Sequence, residues 1–469
     1  MTHPFRTIEE THNALKNGTL TVRALVDEYL AVITEKNPDI NAYLEVFTDI
    51  DEQVSRAQSM FDNGTATMLT GIPVAMKDNM LIKGHVASAS SKMLEKYVAS
   101  YDGTVARILK EHGAILIGRT NMDEFAMGSS TENSAFGRTK NPLDTSRVPG
   151  GSSGGAAAAL AMGGALISLG SDTGGSIRQP AAFCDLVGMK PTYGTISRHG
   201  LIAMASSLDQ IGPMTHTVRD AEILFEALSV HDPMEATSVP VEKRISTHTE
   251  KKKIGVPRKM ISQEGLDPEI LSVFESSLEK LKVQGYEIVD VDMPLSEHAL
   301  AVYYILQPAE VSSNLARFDG IRFGLSEEGT TLLDVYEKSR GKGFGKEVRR
   351  RMILGAYILS HGYYDAYYAK ALAVRSMIEK EFETLFDQVD MIATPTSPFL
   401  PFVAGEKVAD PLAMYMSDFF AVPANIAGIP AISLPAGHAK NGLPIGLQLM
   451  APLFEDKMLF TCGKTFLGE

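Results

Sequence analysis

Two glycine-framed serine clusters, Gly150-Gly151-Ser152-Ser153-Gly154-Gly155 and Asp172-Thr173-Gly174-Gly175-Ser176, hold the residues best suited to chemistry, with Ser152 and Ser176 separated by 24 positions. Glycine has no Cβ, so at such places backbone N–H groups can converge on one atom and stabilise negative charge developing there. A serine hydroxyl beside those donors is a candidate nucleophile if another group removes its proton. Glycine-serine loops taken singly are commonly turns or connectors. Here the intervening Ala156 to Leu169 is largely Ala, Gly, Leu and Met, which suits a buried helix and strand that fix the separation of the two loops.

The run Gly151 to Gly155 also satisfies Gly-x-Ser-x-Gly, the turn that exposes the serine of a Ser-His-Asp hydrolase. That turn needs an apolar strand leading into it, whereas Asn141 to Pro149 is polar, contains two prolines and reads as a loop. No Gly-x-Gly-x-x-Gly follows a strand, so a dinucleotide site is not indicated. A lysine can replace histidine as the base when burial lowers its pKa. Lys77 is the candidate, because the apolar Gly71-Ile72-Pro73-Val74-Ala75-Met76 should deliver it to the inner end of a strand.

The elements that must position these groups alternate between strand and helix. Helices are expected over Thr7 to Leu15, Thr21 to Thr34 and Thr104 to His112, the last ended by Gly113. A further one is capped by Asp267 and Pro268, carries the stripe Leu271, Phe274, Leu278 and Leu281, and is ended by Gly285. Strands are expected at Ala42 to Phe47, Ile72 to Met76, Ala114 to Gly118, Leu166 to Gly170, Leu186 to Met189, Lys253 to Val256, Glu287 to Val291 and Met391 to Ala393. This alternation predicts an α/β fold with a mixed or parallel sheet under helices. Length alone would suit two or three domains. The pattern instead resumes after a polar excursion at 230–252, giving one domain over 1–469: a helical segment at 1–65, a core at 66–220 and the remainder at 253–469.

Composition narrows the function classes. With 469 residues, 44% of them hydrophobic, the chain can bury a large core. Cys184 and Cys462 have no metal-ligand spacing and read as packing residues in a reducing cytoplasm. The net charge of −13 argues against a large nucleic-acid footprint of the chain's own. Lys251-Lys252-Lys253 and Arg349-Arg350-Arg351 are too short to change that balance. No apolar run would cross a bilayer, and Met1 to Arg6 lacks a signal-peptide core.

On Lys77 and the two serine clusters the chain resembles the amidase signature family. The resemblance implies a mixed sheet of about eleven strands in an α/β/α sandwich and a Lys-Ser-Ser triad. Lys77 would be the base, Ser152 the bridging serine after a cis peptide, and Ser176 the nucleophile. Backbone N–H groups of Thr173, Gly174 and Gly175 would stabilise the oxyanion. Ser153 would orient the loop, and Asp172 and Arg178 would pair locally.

Three blocks outside the triad, Arg119 to Gly128, Ser312 to Gly320 and Gly362 to Tyr368, are similar to the glutaminase subunits of three-subunit tRNA-dependent amidotransferases within that family. The resemblance implies glutamine as substrate. An arginine among 349 to 351, taken as Arg351, would hold its α-carboxylate and Asp418 its α-ammonium, with Tyr303 or Tyr304 nearby. No cofactor is implied for this chain. ATP, Mg²⁺ and the mischarged tRNA would belong to a B subunit that receives the ammonia, and a small C subunit would brace the assembly. The family commonly continues with a further C-terminal helix, and here the chain stops at Glu469. A stand-alone amidase and an inactive scaffold are the competing readings.

Overall fold

The computed structural model describes residues 7–245, 248–262, 265–408 and 410–469. The opening Met1 to Arg6 and residues 246–247 of the polar excursion lie outside that set. Eleven strands form one sheet: β1 (Tyr43–Val46), β2 (Pro73–Lys77), β3 (Ile115–Thr120), β4 (Ile167–Asp172), β5 (Val187–Lys190), β6 (Gln210–Thr215), β7 (Lys253–Val256), β8 (Glu287–Asp290), β9 (Met391–Pro395), β10 (Ala431–His438) and β11 (Pro444–Met450). Their order is β1-β3-β2-β4-β6-β5-β10-β11-β9-β7-β8. The pairs β2–β3, β2–β4, β7–β8 and β7–β9 are parallel and the rest antiparallel, so the sheet is mixed.

Alternation along the strands divides the core between two faces. Val74, Met76 and Leu116 pack with the helices Thr104–Glu111, Val218–Leu228 and Asp456–Leu467. Ala75, Ile115 and Ile117 pack on the other face with Val22–Ile40, Ile50–Asp62 and Gly154–Ala161. The chain thus forms the helix-covered sandwich that the alternation predicts.

Most expected elements appear within a residue or two, and the exceptions have physical causes. The second helix passes Thr34 and runs to Ile40 in spite of Pro38 in its last turn, and Asn41 ends it in the left-handed region. In Pro268–Val283, Asp267 caps the helix by accepting from the Glu269 N–H at 2.8 Å. Its buried stripe begins at Ile270, whereas Leu271 is exposed.

Three strands escape the periodicity. β6 contains Pro213 and yet is central, paired along its length with β4 and at Thr215 and Met214 with β5. β10 bears Pro435 and a register shift before Gly437. β11 is buried along its whole length, which leaves no alternation to read. The helix Asp456–Leu467 follows β11, and the Glu469 carboxylate accepts from the N–H groups of Val218 and Arg219 at 2.8 and 2.9 Å. Both cysteines are buried and unbridged. Among the described residues no helix is long and apolar enough to cross a membrane.

A fully buried ion pair ties early and late parts of the chain together. Arg178 donates through Nε to Asp172 Oδ2 at 3.1 Å and through Nη2 to Asp172 Oδ1 at 3.0 Å. Nη2 also reaches Asn425 Oδ1 at 2.6 Å, and Nη1 reaches the Ala421 carbonyl at 2.9 Å and Gln448 Oε1 at 2.6 Å. Burial alone would raise the Asp172 pKa, but the guanidinium outweighs it and holds the carboxylate below its ordinary range. Arg178→Met strands that charge, so chemical denaturation should show about 3–5 kcal/mol less stability. Arg178→Lys should recover only part, because an ammonium cannot reproduce the planar fork.

Candidate active site

Adjacent parallel strands bring the reactive groups to one edge of the sheet. Met76 on β2 lies opposite Leu169 on β4, so Lys77 at the end of β2 stands beside the last residues of β4, and the second serine loop follows at once. Lys77 also pairs with Thr120 at the end of β3, which sends the Arg119 to Gly128 block out of the same edge. The first serine loop arrives separately, out of the irregular 139–150 segment, and runs into the helix Gly154–Ala161.

Lys77 is completely buried, and its Nζ lies 2.8 Å from Ser152 Oγ, 2.7 Å from Ser153 Oγ, 2.9 Å from Ser171 Oγ and 3.1 Å from the Ser171 carbonyl. Either charge state of the amine makes three single hydrogen bonds, so the four neighbours do not by their number fix its protonation. A neutral amine donates two protons and accepts one, and the surrounding hydrogen bonds fit that arrangement. Ser153 Oγ donates to the Ser171 carbonyl at 3.1 Å, and Ser171 Oγ accepts from Asn79 Nδ2 at 2.9 Å. The Ser152 and Ser171 hydroxyls thus each keep a proton that a neutral lysine can accept, and of the two Ser152 belongs to the loop clamped against Ser176. Burial pushes the Lys77 pKa down to about 7, against the smaller upward pull of Asp123, Asp172 and Asp209.

The peptide between Gly151 and Ser152 is cis. Ser152 and Ser153 are fully buried, whereas Ser176 is 8% exposed, so Ser176 is the serine that an incoming molecule can meet. The Ser153 N–H donates to the Ser176 carbonyl at 3.2 Å and clamps the two loops together. Ser153 thus touches the lysine as well as orienting the loop.

The donor set around Ser176 differs in one respect from expectation. The Gly175 N–H donates to Asp172 Oδ1 at 2.8 Å and is spent on the buried ion pair. Thr173 and Gly174 remain as candidate oxyanion donors, with Thr173 held by Asp209 through a 2.7 Å hydrogen bond. At Gly174 a Cβ would lie 2.8 Å from Tyr303 Cζ, so only glycine lets that ring approach the loop.

The expected recognition residues converge here from distant parts of the chain. Of the three arginines, Arg349 and Arg350 are exposed and Arg351 is buried. Arg351 donates through Nε to Glu347 at 2.8 Å and through Nη1 to Gln307 Oε1 at 3.2 Å. Its guanidinium lies 5.3 Å from the ring centres of both Tyr304 and Tyr415, which stack on each other at 3.8 Å. Tyr303 faces the serine loop, and Tyr304 faces the arginine. Asp418 accepts from Ser129 Oγ at 2.7 Å and lies near Gly175, where a Cβ would be 3.6 Å from its Oδ1. Burial raises the Asp418 pKa to about 7, with Ser129 and Arg351 opposing the shift.

Glu347, Gln307, Tyr415, Ser129, Ser171 and Asn79 had no signal in the sequence, being ordinary polar residues outside any motif. Two residues of the Arg119 to Gly128 block support both arms of the site. Asp123 accepts from the N–H groups of Thr131 and Asn133 at 2.9 and 3.1 Å, shaping the loop that presents Ser129. Glu124 accepts from the Gly345 N–H at 2.8 Å, at the start of the helix Lys346–Ile358 that carries Arg351.

The chain matches the Amidase family over residues 24–460 and belongs to it. It is 49% identical to the glutamyl-tRNA(Gln) amidotransferase A subunit 2 of Clostridium acetobutylicum, over 99% of this chain and 98% of that protein. Identity to the glutamyl-tRNA(Gln) amidotransferase A subunit of Koribacter versatilis is also 49%, over 96% of this chain and 95% of that one. Among solved structures, the glutamyl-tRNA(Gln) amidotransferase A subunit of Thermotoga maritima superimposes with a TM-score of 0.80 at 40% identity, covering 98% of this chain and 94% of that one. An amidase superimposes with a TM-score of 0.82 at 28% identity, each chain covered to 99%.

As the expected base, Lys77 must be neutral to accept a proton, and that requirement would set the pH dependence. Amide hydrolysis should rise with pH through an inflection near 7 as Lys77 loses its proton. Lys77→Ala and Ser152→Ala should each lower kcat by about three orders of magnitude or more, and the double variant should fall little further, because the groups act as a unit. A histidine variant that was inactive beside a fully active Lys77→Ala would exclude the lysine as base.

Proposed function

We propose that the chain is the glutaminase, the A subunit, of a tRNA-dependent amidotransferase, the enzyme glutaminyl-tRNA synthase (glutamine-hydrolysing). The observation that carries this reading is the convergence of a buried cation, Arg351, and a buried carboxylate, Asp418, beside the loop that holds Ser176. Free glutamine presents the two complementary charges, and a generic aliphatic or aryl amide does not. The near full-length similarity to A subunits supports the same reading.

In the proposed reaction Ser176 Oγ attacks the glutamine carboxamide carbon while its proton passes to Ser152, whose own proton moves to neutral Lys77. The N–H groups of Thr173 and Gly174 receive the oxyanion. Collapse of the tetrahedral species returns a proton from Lys77 through Ser152 to the leaving nitrogen and releases ammonia. Water then adds to the glutamyl ester on Ser176 by the same relay, releasing glutamate and restoring the serine.

Ammonia would pass to a B subunit that holds mischarged Glu-tRNA(Gln), or Asp-tRNA(Asn), activates its side-chain carboxylate with ATP and Mg²⁺, and completes the amide. A C subunit would brace the complex, which works in the cytoplasm. This chain itself would need no cofactor. An exposed apolar face on and after the helix that bears Arg351, with Ile353, Leu354, Tyr357, Tyr363 and Tyr367, suits a partner subunit.

Two measurements test the reading. Ser176→Ala should abolish glutamine-dependent amidation of mischarged tRNA in the assembled enzyme and leave the ammonium-dependent reaction intact; loss of both in a correctly assembled complex would refute a role confined to making ammonia. Asp418→Asn removes a charge-assisted contact of about 1.5–3 kcal/mol and should lower kcat/KM for glutamine by roughly ten- to a hundred-fold. An amide lacking the α-amino group should be turned over as before. Equal losses on both substrates would return the stand-alone amidase to first place.

A further inference from the structure

Gln307 is fully buried on the helix Ala299–Asn314, one turn beyond Tyr303 and on the same side. Its Oε1 accepts from Arg351 Nη1 at 3.2 Å. That bond fixes the amide, since the reverse orientation would set its NH2 against guanidinium N–H groups. The Nε2 group is therefore turned away from the guanidinium, and it is buried with no partner among the described residues. A buried donor left unpaired is costly and rarely kept without a use.

Arg351 has a matching surplus. Its Nε serves Glu347 and its Nη1 serves Gln307, whereas its Nη2 has no partner among the described residues. One hydrogen bond thus joins a guanidinium and an amide that each retain donors, a pair suited to the two oxygens of one carboxylate. The helices Ala299–Asn314 and Lys346–Ile358 close on each other one turn further along, where a Cβ at Gly355 would overlap the Pro308 carbonyl oxygen.

We propose that Gln307 is a specificity-determining residue whose Nε2 donates, beside Arg351, to the α-carboxylate of glutamine. The proposal rests on the glutaminase reading above. It assigns Gln307 a direct contact with the carboxylate and Glu347 the separate task of fixing the guanidinium.

The test compares glutamine with 4-aminobutanamide, which keeps the carboxamide and the ammonium but lacks the carboxylate, in the assembled enzyme. Gln307→Met keeps the length and removes the donor. It should raise KM for glutamine about ten-fold with kcat within about two-fold, and leave kcat/KM for 4-aminobutanamide unchanged. Gln307→Glu keeps the acceptor for Arg351 and sets an oxygen where the donor stood, so it should discriminate against glutamine more strongly; it also serves if the methionine variant does not fold. Equal losses on the two substrates, or no loss on glutamine, would overturn the proposal. Arg351→Met separates the levels. If it affects both substrates alike, the placement of the carboxylate at Arg351 is wrong; if it discriminates and the Gln307 variants do not, Gln307 alone is wrongly assigned.

Discussion

The Arg178 guanidinium, buried without solvent, is the constraint on which the rest of the molecule hangs. A charge in that position is tolerable only if every donor is met, and here the acceptors come from Asp172, Asn425, Ala421 and Gln448. Asp172 ends β4 and leads into the serine loop, Ala421 and Asn425 follow Asp418, and Gln448 lies on β11. One side chain therefore ties the loop that carries Ser176 to the segment that carries Asp418. Its partner Asp172 also draws in the Gly175 N–H, which decides which backbone donors stay free beside Ser176.

The same economy governs the lysine. Placing an amine at the inner end of a strand costs solvation, and that cost is what lowers its pKa toward neutrality. Four oxygen atoms around Nζ would suit a cation if they carried charge, but hydroxyls and a carbonyl do not, so they orient the neutral amine without restoring its full basicity. Asp123, Asp172 and Asp209 pull the other way, and burial outweighs them. Base strength is thus set by what the site withholds from the lysine.

The candidate recognition residues sit on two arms with a common root. Asp123 shapes the turn that offers Ser129 to Asp418, and Glu124, next in the chain, holds the start of the helix that carries Arg351. Adjacent residues thereby hold the anionic and cationic ends of the site. Burial raises the Glu124 pKa to about 7 against its hydrogen bonds from Ser91 and Gly345, which makes this root a polar anchor of neutral to weakly anionic character.

Chemistry that depends on residue type and local spacing was legible in the chain itself. Two glycine-serine loops separated by a buried helix and strand, and a lysine at the end of an apolar segment, mark out candidate residues before any contact is known, and the family resemblance implies that they form a triad; strand-helix alternation predicts the sandwich. Packing across the fold decided what local spacing leaves equal. Arg349, Arg350 and Arg351 point about 100° apart around one helix, and the approach of the helix Ala299–Asn314, together with Tyr415, buries the third. Tyr303 and Tyr304 are divided between the serine loop and the arginine by the same contact. β6, β10 and β11 stayed hidden because strands buried on both faces lose alternation and because Pro213 and Pro435 read locally as breaks. Gln307, Ser129 and Asn79 gave no sign, since an amide or hydroxyl becomes distinctive only when its surroundings remove water and leave it one partner.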